Sequence, residues 1–190
     1  MMNVGVIGCG NIAETYFRAQ DYFNNINFIA CSDINLEAAK KASIEHNVEA
    51  LTIDEMLNSK NIDLILNLTI PQAHYEVSKK CLLSGKNVYS EKPMSVKFDQ
   101  AKELVNLAKE KNLYIGNAPD TFLGGGGQLS REIIDKGDIG KVLTGNFIFA
   151  FPGVQEFHPS PESWYQEGGG PVIDMGPVSY THLTLPTIPG

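Results

Sequence analysis

Two short runs in this 190-residue chain bring together side chains whose types and spacing suit chemistry. The first is Val4-Gly5-Val6-Ile7-Gly8-Cys9-Gly10-Asn11-Ile12-Ala13, a G-x-G-x-x-A pattern directly after an apolar run. At a strand-to-helix turn, Gly8 permits the tight bend and Gly10 lets the backbone approach a pyrophosphate. Ala13 allows close helix–strand packing, and the N–H groups around Asn11 and Ile12 face the phosphates. Glycines in a turn are often only a turn, so context decides. Asp33 stands 20 residues beyond Ala13, at the end of the next apolar run. A carboxylate at that place can accept both ribose hydroxyls of a dinucleotide. It also repels a 2′-phosphate, and Ile34 and Asn35 bring no cation, so NAD is favoured over NADP.

The second run, Ser90-Glu91-Lys92-Pro93, follows the short strand candidate Asn87–Tyr89. Ligand crevices in doubly wound sheets lie outside the C-terminal ends of the strands, which puts this turn beside the nicotinamide end of a dinucleotide. Pro93 fixes the turn, and a cis Lys92–Pro93 bond would aim the lysine inward. An ammonium there can orient a substrate hydroxyl and lower its pKa, or act as the base itself. Taken alone, the tripeptide reads more readily as an exposed charged turn.

Both turns need a scaffold that ends its strands side by side, and residues 1–120 supply one. Strands are expected at Asn3–Ile7, Phe28–Ser32, Ile62–Leu68, Asn87–Tyr89 and Leu113–Gly116. Between them, helical spacing covers Asn11–Phe23, Asn35–His46, Ile53–Asn58, Ala73–Ser84 and Phe98–Lys111. This alternation predicts an α/β fold: a doubly wound parallel sheet of about six strands, covered on both faces. Residues 121–190 differ, holding 13 of the 18 glycines and 7 of the 10 prolines. One helix (Gln128–Lys136) and one long strand (Lys141–Phe151) are expected there, as the opening of a second domain.

Composition narrows the partners. Fifteen Lys+Arg against 22 Asp+Glu give a net charge of −7, and the cations are scattered, so nucleic acid is not an expected partner. No apolar run approaches the roughly 20 residues that span a bilayer. The N-terminus lacks a basic segment ahead of an apolar one, so neither membrane nor secretion is expected and the cytoplasm is. Cys9, Cys31 and Cys81 fit neither a metal knuckle nor a disulfide framework.

The glycine turn, the Asp33 spacing, Thr69-Ile70-Pro71-Gln72-Ala73-His74 and Glu91-Lys92-Pro93 together resemble the Gfo/Idh/MocA oxidoreductases. Ala118-Pro119-Asp120-Thr121-Phe122, His158-Pro159 and Gly168-Gly169-Gly170-Pro171-Val172-Ile173-Asp174-Met175-Gly176 extend the resemblance to about residue 177. It implies a Rossmann domain (1–120) followed by the start of an α/β domain with an open, mainly antiparallel sheet (121–177). The implied activity is NAD(P)-dependent oxidation or reduction of a sugar or polyol hydroxyl. By the same resemblance Lys92 is the catalytic lysine and Asp174 the acidic member of the catalytic group. Thr69, Pro71, His74, Glu91 and Lys92 would lie along the cofactor, although His74 could equally open a helix without a ligand. His158, Trp164 and Tyr165 are substrate candidates, because aromatic rings can stack on a sugar face; anchoring a loop suits them as well. A homo-oligomer is expected of the full-length form.

The chain also departs from the family. Four residues past the motif aspartate the family usually has His or Tyr, but Val178 stands there with no proton to give. Val178–Gly190 holds no Asp, Glu, Lys or Arg and shows no helical period. Val178-Ser179-Tyr180-Thr181-His182-Leu183 resembles one reading frame of a transposon end used in sequencing libraries, so residues 178–190 are expected to be a non-native tail without function in His182. The chain is then a fragment, inactive in turnover. The alternative function is a dinucleotide-binding module without catalysis, and a methyltransferase is the weaker third.

Overall fold

A strand that is apolar at nearly every position must be covered on both faces. The computed structural model, which describes residues 1–150, 152–156, 161–166 and 169–184, has that arrangement. Strands β1 (Met2–Ile7), β2 (Ile26–Ser32), β3 (Glu49–Ala50), β4 (Leu64–Asn67), β5 (Asn87–Ser90) and β6 (Ile115–Asn117) form one sheet. Their order is β3-β2-β1-β4-β5-β6, with every pair parallel. The helices are α1 (Ala13–Phe17), α2 (Leu36–His46), α3 (Ile53–Asn58), α4 (Pro71–Leu83), α5 (Phe98–Glu110), α6 (Gly125–Lys136), α7 (Pro161–Trp164) and α8 (Gly170–Thr184). The chain divides into two compact units, Met1–Ala118 and Pro119–Gly190. No helix among the described residues is long and apolar enough to cross a membrane.

The two-residue alternation of β1 feeds two cores. Val4 and Val6 join Phe17, Phe28 and Leu66 on one face, whereas Ile7 joins Met56, Ile65, Leu82 and Leu104 on the other. Local chemistry sets the helix starts. Asn35 caps α2 by accepting from Glu37 N and Ala38 N, and Thr52 and Glu55 form a reciprocal capping box on α3. Lys86 is a buried cation that the sequence did not reveal. Its Nζ donates to the Ile62 carbonyl at 2.9 Å and to the Ser59 carbonyl, tying the exit of α3 to the approach of β5.

Several elements differ from expectation. The helix expected over Asn11–Phe23 is only α1, five residues long, continued by a 3-10 turn at Arg18–Asp21. β3 was not foreseen, since two residues carry no readable period. In the second unit, residues 141–150 form no regular strand, and Phe151 lies outside the described residues. A strand needs a partner ladder for its N–H and C=O groups, and the described residues there offer none; Leu143 and Ile148 stand 85% and 87% exposed. No antiparallel pairing occurs among the described residues. Conversely, α8 runs through Pro177 to Thr184, across residues expected to lack helical order. Thr181 Oγ1 donates to the Pro177 carbonyl at 2.6 Å, and Leu183 packs near Gly145. Residues 185–190 lie outside the described residues.

Replacing Lys86 by Met keeps the stem and removes the donor to two carbonyls. Urea unfolding should then show a loss of about 1–3 kcal/mol, the cost of stranding buried acceptors. An unchanged midpoint would mean these bonds contribute nothing.

Candidate active site

The C-terminal ends of β1, β2, β4 and β5 carry the functional candidates. After β1 the chain bends at Gly8, whose φ of +103° suits glycine, and a Cβ there would stand 2.5 Å from the Leu68 carbonyl group. Gly8 N also donates to the Ser32 carbonyl at 2.9 Å, so the turn is held between β2 and the loop after β4. At Gly10 a Cβ would meet nothing within 4 Å. The turn therefore presents bare backbone on an open side, as a pyrophosphate cradle requires. Ala13 is buried against the sheet, and Asn11 and Ile12 are exposed. Because α1 is so short, the turn's own N–H groups, rather than a long helix dipole, are what face an anion.

Asp33 is built into this turn. Its Oδ2 accepts from Cys9 N and its Oδ1 from Asn35 N, both at 2.7 Å. Each carboxylate oxygen keeps a lone pair for a further donor, so the residue fits ribose hydroxyls while bracing the glycine turn. Beside it, a hydrogen bond with Cys31, then burial and the Cys31 and Asp33 charges, push the Cys9 thiol up. A cleft of about 870 Å³ flanks the turn on the α1–α2 side, lined by Gly10, Phe17 and His46 among others. His46 there stacks on Phe17 at 4.1 Å between ring centroids and pairs with Glu14 at 3.0 Å.

The loop after β4 hangs on Asn67, which is fully buried. Its Nδ2 donates to the His74 carbonyl and to Ser78 Oγ, each at 3.0 Å. Its Oδ1 accepts from Thr69 Oγ1 at 2.7 Å and from Thr69 N. Thr69 and Pro71 thus sit at the mouth of α4, Pro71 as its first residue. Of the two readings the sequence left open for His74, its burial in the first turn of α4 favours the one without a ligand. It is 1% exposed, with Nδ1 2.6 Å from the Pro93 carbonyl oxygen and Nε2 2.8 Å from that of Thr69. With both ring nitrogens engaged by backbone inside the core, it has no face for a cofactor; it lies beneath the site.

The Glu91-Lys92-Pro93 turn is held from several sides, and the Lys92–Pro93 peptide is cis. Tyr16 of α1 donates its hydroxyl to Glu91 Oε1 at 2.7 Å, and Lys92 N donates to Glu91 Oε2 at 2.9 Å. Asn117, at the end of β6, donates through Nδ2 to the Ser90 and Glu91 carbonyls at 2.9 Å each. Lys92 is half-buried. Glu91 therefore braces the turn through Tyr16, a contact that ties the lysine to the helix of the glycine turn. Tyr16, Asn67 and Asn117 were missed in the sequence. The visible signal was a polar residue ending an apolar strand, which marks Asn67 and Asn117 but not Tyr16.

In the second unit, Asp174 lies in the first half of α8, with Val178 one turn further along. Trp164 and Tyr165 pack edge to face on each other, 4.8 Å between centroids, and the Tyr165 hydroxyl accepts from Gln155 Nε2 at 3.2 Å. His158 lies outside the described residues. His182 Nδ1 faces the Val178 carbonyl at 2.7 Å, and its Nε2 lies 3.3 Å from Thr121 Oγ1.

Strand order, glycine turn and braced acidic residue define a Rossmann-type dinucleotide-binding domain, the class that binds at the reversal between β1 and β4. Residues 2–118 match the model of the oxidoreductase family with an NAD-binding Rossmann fold, and the chain belongs to this Gfo/Idh/MocA family. Inositol 2-dehydrogenase of Azotobacter vinelandii is 31% identical over 109 residues, covering 55% of this chain and 32% of that protein. Trans-1,2-dihydrobenzene-1,2-diol dehydrogenase of Xenopus tropicalis is 28% identical over 186 residues, covering 95% of this chain and 55% of that protein. A crystal structure from Sinorhizobium meliloti 1021, held to be a myo-inositol dehydrogenase, shares the fold with a TM-score of 0.82 at 18% identity, over 97% of this chain and 55% of that one. The chain thus spans about half the length of its relatives, or less.

The two glycines of the turn should separate under mutation. Gly8→Ala strains a positive-φ position against the Leu68 backbone and should lower stability by about 1–3 kcal/mol in urea unfolding. Gly10→Val, with open space around its Cβ, should unfold near the parent midpoint yet lose NADH binding in a fluorescence titration. Equal stability losses in both variants would remove the distinction.

Proposed function

We propose that this chain carries the cofactor-binding and acid–base part of an NAD-dependent dehydrogenase or reductase acting on a sugar or polyol hydroxyl or the matching carbonyl. The observation that supports this most is the Tyr16–Glu91 hydrogen bond, which ties the lysine turn to the helix of the glycine turn. Gly8, Gly10, Asn11, Ile12 and Ala13 would hold the pyrophosphate, Asp33 the ribose, and Thr69 and Pro71 the far rim. Bound nicotinamide supplies the acceptor or donor of a hydride. Lys92 Nζ hydrogen-bonds the reacting hydroxyl oxygen and stabilises the negative charge that grows on it as its proton leaves. Asp174, Trp164, Tyr165 and His158 enter this reading through the family resemblance alone, Asp174 as the acidic member of the catalytic group and the other three as candidates for a sugar face. The inositol and diol relatives support a polyol over other substrates, and the full-length form is a homo-oligomer in this reading.

Val178, one turn past Asp174, supports a second reading, a dinucleotide-binding module without catalysis. Titration with NADH, NADPH and S-adenosylmethionine separates an NAD module from a methyltransferase, and hydride transfer to a polyol-derived ketone separates enzyme from module.

Asp33 sets cofactor choice in this reading. Asp33→Ala loses a charge-assisted hydrogen bond of about 1.5–3 kcal/mol, so NAD affinity should fall roughly ten- to a hundredfold while NADP gains relatively. An unchanged NAD to NADP ratio, measured by calorimetry, would place Asp33 away from the ribose. Lys92→Met should keep NAD binding and lower turnover by roughly 10²–10⁴ relative to the parent. Undiminished turnover on inositol and other polyols would make Lys92 a turn residue only.

A further inference from the structure

His74 is buried and faces two carbonyl oxygens, one from each loop of the site: Thr69 after β4 and Pro93 after β5. Both partners are acceptors, so the ring can bond either one only by donating, and the shorter contact, 2.6 Å, runs from Nδ1 to the Pro93 oxygen. Upstream of Lys92, Tyr16 and Asn117 fix the turn through the Glu91 carboxylate and the Ser90 and Glu91 carbonyls. Downstream, His74 grips Pro93. The lysine is thus suspended between two anchored peptides, and the downstream anchor is a side chain from α4 that approaches no substrate-facing surface.

We propose that His74 is a positioning residue for Lys92, acting by donating its Nδ1–H to the Pro93 carbonyl. This rests on the reading of Lys92 as the group beside the nicotinamide. Any buried imidazole must satisfy its nitrogens, so the roles differ in whether the donor is needed on the Pro93 side in particular. Asparagine and glutamine tell these roles apart, since the asparagine amide nitrogen occupies the place of Nδ1 and the glutamine amide nitrogen that of Nε2. His74→Asn keeps the donor to Pro93, whereas His74→Gln moves it to the Thr69 side.

The experiment acylates the 190-residue chain with an amine-reactive acetyl ester, with and without NAD, and follows Lys92 by mass spectrometry. NAD should protect Lys92 in the parent and in His74→Asn to a similar extent. In His74→Gln that protection should shrink roughly tenfold, about what one intramolecular hydrogen bond contributes. Far-UV circular dichroism and NADH titration accompany each variant. If the two variants behave alike, both protected, both unprotected or both unfolded, His74 has no positioning role, although Lys92 in the parent still responds to NAD. If Lys92 in the parent is not protected at all, the functional reading itself fails. Ring ¹⁵N spectra of the parent supply a second measurement: a ring protonated at Nε2 alone overturns the assignment.

Discussion

The carboxyl edge of this sheet rests on one missing atom, the Cβ of Gly8. Its absence lets the turn after β1 stand against the backbone of Leu68, so the first and fourth strands end at the same level with no side chain between them. From that approach the rest follows. Ser32 can accept from Gly8 N, and Asp33 can reach Cys9 N. On the other side, the chain leaving Leu68 passes directly into the loop that Asn67 ties down. The helix that follows the turn is short, five residues of α1 continued by a 3-10 turn at Arg18–Asp21.

Most of the first unit was legible because its signals are periodic. Short apolar runs located five of the six strands, three-to-four-residue spacings located all five helices, and the glycine pattern located the turn. What escaped was what no period encodes. Lys86 reads as an ordinary surface lysine, and only the fold shows its ammonium between two carbonyls. Tyr16 and Glu91 are 75 residues apart, and nothing in either neighbourhood announces the other. His74 was left open between lining the site and starting a helix without a ligand, since residue type and motif position do not tell a lining side chain from one beneath the lining.

The second unit was read less well for a related reason. An apolar run such as Lys141–Phe151 fits a strand, but strand character belongs to a pair and not to a segment. Helices close their hydrogen bonds within themselves. Thus α8 persists across Pro177, while the neighbouring apolar run stays irregular and exposed in its described residues.

The order in which the chain is synthesised gives the Asn117 contact a further meaning. A nascent polypeptide acquires its partners from the amino end onward. The nucleotide cradle draws on Gly8, Ser32, Asp33 and Leu68, all available once the first four strands have emerged. The lysine turn is different, since its Ser90 and Glu91 carbonyls wait for Asn117, and Ser90 waits again for Ala118 N. On the ribosome, the contacts of the glycine turn are therefore complete in sequence some 50 residues before those of the lysine turn. The two turns thus close in the order of synthesis, the glycine turn first and the lysine turn last.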